Sequence, residues 1–196
     1  MSNAEEMRLV RRLKARSVGA FETLIERYQG PIFNLVYRML GNRAEAEDLS
    51  QEIFITVFKQ IDGFRGEASL ATWLYRIASN HCINRRKYLS HRRHYTGKSL
   101  SDIGDRDELG AGRLPATDRP PRPDEMAEGL EMERAIQAAI SSLDEDHRLV
   151  LVLRDVQSLS YEEIVEITGV PAGTVKSRLH RARMALKEKL ASHFAR

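Results

Sequence analysis

The stretch "LSYEEIVEITGVPAGTVKSRLHRARMALKEKL", residues 159–190, decides the fold class of this chain. Ser160 and Glu163 stand three positions apart just ahead of an apolar run, the spacing of a capping box, which predicts a helix opening at Tyr161. Gly169 can take the left-handed turn that ends a helix. Pro171 suits the first turn of the next one. A short helix, a tight glycine turn and a longer helix make a helix-turn-helix. In the second helix Val175, Leu179, Ala182 and Leu186 recur at i, i+4, i+7 and i+11, so that stripe is expected to pack inward. The other face carries Lys176, Ser177, Arg178, His180, Arg181 and Arg183, and no acid occurs between Glu166 and Glu188. A basic amphipathic helix with a solvated face is the plain alternative. The cap, the glycine turn and the acid-free face together favour a recognition helix, whose first residues reach base edges in the major groove while flanking cations hold phosphates. Arg or Lys pairs with guanine acceptors there, and Ser or His adds single hydrogen bonds.

Working upstream, helical periodicity predicts helices near 130–142 and 145–155, ahead of those at 160–168 and 172–192. Residues 96–129 differ in kind. They hold four of the six prolines and five of the twelve glycines. Residues 96–133 carry 5 Lys/Arg against 10 Asp/Glu. Such a segment buries too little apolar surface to offset the entropy of ordering. It reads as a flexible, acidic, mostly extended linker.

The N-terminal part, to about residue 95, is helical nearly throughout. Phe21, Leu24, Ile25 and Tyr28, then Ile32, Leu35, Val36 and Met39, fall at i, i+3, i+4, i+7. Gly41-Asn42 marks a stop and restart. Another helix follows over "AEAEDLSQEIFITVFKQI", with Leu49, Ile53, Val57 and Ile61, or else Phe54 and Phe58, on its apolar side. Glu45, Glu47 and Asp48 sit in its first turns, where the helix dipole favours them. "DGFRGEAS" breaks the pattern with two glycines before the helix containing "TWLYRIASNHCINRRKYLSHRR", residues 72–93.

That helix has a lopsided charge. From Ala68 to Ser101 there is no Asp or Glu, but seven Lys/Arg: Arg76, Arg85, Arg86, Lys87, Arg92, Arg93 and Lys98. Such a helix repels itself unless a polyanion lies along it. Aromatic faces beside cations are what single-stranded nucleic acid uses, bases stacking and phosphates neutralised. Asn80 and Asn84, one turn apart, can read base edges. Trp73 is expected in the core, with Ile77 four residues on. Phe64, in the preceding loop, is the better candidate to meet a base.

Composition narrows the remaining choices. The net charge is only +3 over 196 residues, but residues 1–95 carry 16 Lys/Arg against 10 Asp/Glu and residues 134–196 carry 10 against 8. Two basic ends flanking an acidic middle suggest a polyanionic partner. No run of 18 apolar residues is present, and the N-terminus lacks the apolar segment of a secretion signal. The single cysteine, Cys82, excludes an internal disulfide and suits a reducing, cytoplasmic setting. An enzyme is disfavoured: there is no Gly-rich phosphate loop and no nucleophile motif, so no catalytic residue is nominated. His81, Cys82, His91 and His94 fit no zinc spacing, so no metal or other cofactor is expected. Cys82 is expected to be buried or half-buried.

Two segments, "AEDLSQEIFITVFKQIDGFRGEASLATWLYRIASNHCINRRK" and "SLSYEEIVEITGVPAGTVKSRLHRARMALKEKL", together resemble regions two and four of bacterial sigma factors of the sigma-70 family. The closest resemblance is to the extracytoplasmic-function (ECF) group. The resemblance covers about 1–95 and 130–196, in the family's order. It implies an all-α protein of two small helical domains, a region 2 domain at 1–95 and a helix-turn-helix region 4 domain at 130–196, with the linker at 96–129 between them.

The resemblance also implies a mechanism: no catalysis by the chain itself, but binding to core RNA polymerase and direction of it to promoter DNA, in a stress or environmental response. The helix from Ala44 to Asp62 resembles the one that docks on the clamp helices of the largest polymerase subunit, which would put Asp48, Gln51, Glu52 and Phe54 at the contact. The second domain would meet the polymerase flap. The loop at 63–69 and the next helix resemble the element that captures a flipped base of the −10 element. Phe64, Asn80 and Asn84 would line that site, and Arg76, Arg85 and Arg86 would hold the strand. Extruding a base costs a few kcal/mol, which a prepared pocket must offset. For the −35 element, Lys176, Ser177, His180 and Arg181 are expected near bases, and Thr174, Arg178 and Arg183 near phosphates. The family further implies an anti-sigma factor, commonly membrane-bound. A stand-alone helix-turn-helix regulator would instead be a homodimer on a palindromic site. Such a regulator has no need of the acid-free helix beside an aromatic loop.

Overall fold

The computed structural model describes residues 3–96 and 123–194, with side chains placed for 4–92 and 129–191. Every element among the described residues is helical. The N-terminal half comprises α1 (Asn3–Lys14), α2 (Val18–Leu40), α3 (Arg43–Gln60) and α4 (Leu70–Thr96), with a single 3-10 turn at Ile61–Gly63. The C-terminal half comprises α5 (Pro123–Ser141), α6 (Glu145–Leu151), a π-helical turn at Val152–Val156, α7 (Tyr161–Thr168) and α8 (Ala172–Phe194). Most of the expected linker lies outside the described residues. Its last part, from Pro123, opens α5 instead, so that helix starts earlier than the periodicity suggests.

Local chemistry accounts for the ends of these helices. Gly41 closes α2 at φ 74° with its N–H on the Tyr37 carbonyl, a conformation open to glycine without a Cβ penalty. The Asn42 side chain then accepts from the Glu45 N–H at 2.8 Å and starts α3. The capping box forms as expected: the Glu163 N–H donates to Ser160 Oγ at 3.1 Å, and the Ser160 N–H to the Glu163 carboxylate at 2.8 Å. Gly169 ends α7 at φ 71°.

The apolar stripes locate the core. On α2, Leu24, Tyr28, Ile32, Leu35, Val36 and Met39 are buried, whereas Ile25 faces solvent. On α3 the stripe of Leu49, Ile53 and Val57 is buried and continues into Ile61, while Phe54 is half-buried and Phe58 is 45% exposed. On α8, Val175, Leu179 and Ala182 are buried and Leu186 half-buried. Cys82 is fully buried, and desolvation pushes its thiol pKa up to about 12, so it stays protonated and unreactive near neutral pH. The two halves share one core: α7 packs on α4, and α5 and the π-helical turn pack on α2.

Candidate nucleic-acid interface

The recognition helix presents the expected face. Lys176, Ser177, His180 and Arg181 are exposed along the outer side of α8, and Thr174 is half-buried at its start. Ser177 donates its hydroxyl to the Thr174 carbonyl at 3.0 Å. Lys176 lies 5.6 Å from the Tyr161 ring centre, with Arg154 on the same ring at 5.0 Å. That aromatic ring, at the start of α7, steadies the lysine ammonium beside the helix N-terminus. Arg181 and His180 have no side-chain partner among the described residues and are free to reach outward.

Two of the expected phosphate cations are already engaged. Arg183 forms a two-pronged pair with Asp155 at 2.9 and 2.5 Å, and Arg178 meets Asp146 at 2.5 Å. The α8 sequence is free of acids, but the preceding helices bring acids to it from across the fold. These pairs orient α8 against α6 and the π-helical turn, and being surface pairs each contributes at most about 1 kcal/mol.

On α4 the structure divides the nominated residues. Arg76, Asn80 and Asn84 recur at i, i+4, i+8 and are exposed on one face, and Lys87 continues that stripe. The stripe runs about 16 Å along the helix, two amides between a cation at each end. Arg85 points elsewhere: it bridges Glu45 at 2.7 Å and Glu52 at 2.6 Å on α3. Arg86 faces α6, 3.9 Å from Glu145. Arg76 donates to the Glu166 carbonyl on α7. The expectation that this helix repels itself unless a polyanion lies along it is therefore corrected, because carboxylates of the fold meet part of its charge. They arrive from α3 and α6, which a reading along one helix does not reveal.

Trp73 packs against the core as expected, and Phe64 turns inward with it: Phe64 is only 6% exposed, its ring 5.4 Å from that of half-buried Trp73. The 3-10 turn folds the loop back, the Phe64 N–H bonds the Ile61 carbonyl, and Lys14 Nζ donates to the Phe64 carbonyl at 2.7 Å. Burying a phenyl ring returns about 1.5–3 kcal/mol, which favours the inward position. In this conformation Phe64 shows only a small edge, on the groove it lines with Lys14, Arg65 and Thr72.

On α3, Asp48, Gln51 and Glu52 share an exposed face, with Ile55 completing it at 54% exposure. Phe54 instead packs against the core. Ile55 was missed by reading sequence alone. The signal was available: it stands at i+7, i+4 and i+3 from the three polar positions, an apolar residue in outward phase.

Among the described residues no group of His, Cys, Asp and Glu could hold a metal ion, and no helix is long and apolar enough to cross a membrane.

Comparison with known proteins matches both halves. Residues 24–93 match the family model for Sigma-70 region 2 and residues 133–186 that for Sigma-70, region 4. The chain is 36% identical over 192 residues to the ECF RNA polymerase sigma factor SigW of Bacillus subtilis, covering 94% of this chain and 98% of the relative. It is 37% identical over 184 residues to the ECF RNA polymerase sigma-E factor of Haemophilus influenzae, covering 93% of each. Among solved structures, the fold is similar to the sigma factor RpoE in complex with the anti-sigma factor NepR from Bartonella quintana, at TM-score 0.66 and 20% identity over 89% of this chain and 98% of that one. It is equally similar to CnrH in complex with the cytosolic domain of CnrY, at TM-score 0.66 and 21% identity over 95% of this chain and 97% of that one.

Proposed function

Because the chain belongs to the ECF sigma factors of the sigma-70 family, we propose that it is a promoter-specificity subunit: it binds core RNA polymerase and directs it to promoter DNA. It does so in the cytoplasm, and not as a catalyst itself. The observation that carries this reading is the presence on one chain of two different nucleic-acid faces. One is a helix-turn-helix with an exposed basic outer face. The other is the Arg76–Asn80–Asn84 stripe, suited to an opened strand.

In this reading α8 takes the −35 duplex. Lys176, Ser177, His180 and Arg181 meet base edges, while Thr174, Arg178 and Arg183 meet phosphates, the two arginines exchanging their aspartate partners for DNA. Arg76, Asn80 and Asn84, extended by Lys87, take the −10 strand. Arg85 and Arg86 serve the strand only after leaving Glu45, Glu52 and Glu145. Phe64 supports the pocket from behind, with Trp73 nearer the base. Asp48, Gln51 and Glu52, with Ile55 in place of Phe54, form the contact with the clamp helices of the largest polymerase subunit, and the C-terminal domain meets the flap. An anti-sigma factor is the expected inhibitor.

Two substitutions test the assignments. Arg181→Ala is expected to remove preference at one −35 position at a cost of about 1–3 kcal/mol, measured by competition among single-base variants of the duplex. Equal loss on every sequence would make Arg181 a phosphate contact instead. Asn80→Ala is expected to impair open-complex formation, read by permanganate footprinting, with core binding intact. Asn80 is exposed, so a simultaneous loss of core binding would contradict its assignment to the strand.

A further inference from the structure

We infer that Asp146 and Asp155 are affinity-limiting residues of the DNA interface: as counter-anions built into the fold, they neutralise Arg178 and Arg183 and hold the chain off DNA of arbitrary sequence. This deepens the −35 reading above and rests on it. The observation is which cations of the interface carry a carboxylate and which do not.

Along α8 the two sets separate. Arg178 and Arg183, the cations assigned to phosphates, each hold an aspartate. Asp146 of α6 meets Arg178 at 2.5 Å, and Asp155 of the π-helical turn takes Arg183 in a fork at 2.9 and 2.5 Å. The residues assigned to bases meet no carboxylate among the described residues. Lys176 lies over the Tyr161 ring, Ser177 bonds the Thr174 carbonyl, and His180 and Arg181 point outward. The strand-binding helix follows the same division. Arg85, assigned to the backbone, is forked between Glu45 and Glu52 of α3. Asn80 and Asn84, assigned to bases, are exposed on α4 with no side-chain partner among the described residues.

This sorting has a consequence for binding. Phosphate contacts supply the sequence-independent part of DNA affinity through counterion release, and base contacts supply the reading. An arginine that already holds a carboxylate gains little by moving to a phosphate, because it exchanges one anion for another. The aspartate it leaves then stands unpaired beside the DNA, where like charges repel. The Asp146 side chain is 61% exposed and that of Asp155 34%, so both carboxylates reach solvent beside their arginines. The fold thus subtracts affinity for any duplex and leaves the base-reading groups untouched. Two interfaces weakened in this way regain affinity when both are engaged together, since the second contact is then intramolecular.

Asp146→Asn/Asp155→Asn tests this, because it keeps the size and one acceptor oxygen of each side chain and removes both charges. Binding of the full chain to a labelled random-sequence duplex is followed by fluorescence anisotropy between about 50 and about 200 mM salt. The variant is expected to bind more tightly than the parent, and its plot of log affinity against log salt to be steeper by about 1.8, two added phosphate contacts at about 0.9 each. Its advantage over the parent is then about tenfold larger at the lower salt than at the higher. Glu22→Gln/Glu26→Gln, at exposed positions on α2, removes as many negative charges and is expected to leave the slope unchanged. Should the double variant not fold, Asp155→Asn alone is expected to steepen the slope by about 0.9. A slope that stays the same, or an affinity that falls, would overturn the inference and leave the aspartates as supports that orient α8. An equal gain in the α2 control would overturn it too. Failure of the sigma reading shows separately: core polymerase that gains no start sites with the parent chain removes that reading, while the random-duplex comparison still reports on the aspartates.

Discussion

Replacing Leu179 by Ala is expected to cost the protein about 2–5 kcal/mol of stability. Leu179 is 2% exposed at the centre of the recognition helix's inward stripe, between Val175 and Ala182, which are both fully buried. Truncation removes most of the side chain's transfer free energy and leaves a cavity that its packed neighbours fill only in part. The measurement is urea unfolding followed by circular dichroism, comparing midpoints at equal slope. A loss below about 1 kcal/mol would mean that the site collapses around the smaller residue, and that α8 is not anchored by this stripe. Exposed Arg181, two positions on, should show no comparable effect on stability. The pair thus separates what holds the recognition helix from what it reads.

The second large effect concerns Arg148. Its guanidinium is buried, and desolvation lowers its pKa to about 10, with the nearby charge of Arg86 adding to that shift. A pKa of about 10 still leaves it protonated near neutral pH, where it donates to three carbonyls. Arg148→Ala is expected to destabilise the folded chain by about 2–4 kcal/mol, since buried carbonyls left without donors cost about 1 kcal/mol or more each. Arg148→Lys should recover only part of this, because a point charge cannot span two helix ends as the planar fork does. Thermal unfolding of the three proteins measures it. Full recovery by Lys would show that charge alone, and not the forked geometry, holds the joint.

What the sequence made legible were the features whose partners lie close along the chain. Ser160 and Glu163 are three residues apart, so their cap could be foreseen, as could the glycine stops at 41 and 169 and the inward stripe of Val175, Leu179 and Ala182. What it hid were pairings across the fold. Arg85 meets Glu45 and Glu52, 40 and 33 residues away. Arg148 meets Met39 across 109 residues. Counting acids along α4 and α8 therefore overstated how many cations stand free for DNA. Phe64 and Trp73 show another limit. Trp73 was legible from Ile77 four residues on, but Phe64 lies in the loop, and its inward turn depends on how the 3-10 turn at Ile61–Gly63 redirects the backbone, a tertiary outcome that no periodicity encodes. Phe54 and Ile55 were confused because adjacent residues on α3 differ by 100° in direction. Only packing against α2 and α4 decides which of the two faces out.

The central claim is that this chain confers promoter choice on RNA polymerase. The most direct test is transcription in vitro, with core polymerase, the purified chain and a genomic promoter library, the transcript starts being sequenced. The account predicts starts that appear only when the chain is added and that share two upstream elements at a fixed spacing. Core polymerase that gains no starts, together with a chain that alone shifts a palindromic duplex as a dimer, would contradict it and leave a stand-alone helix-turn-helix regulator in its place.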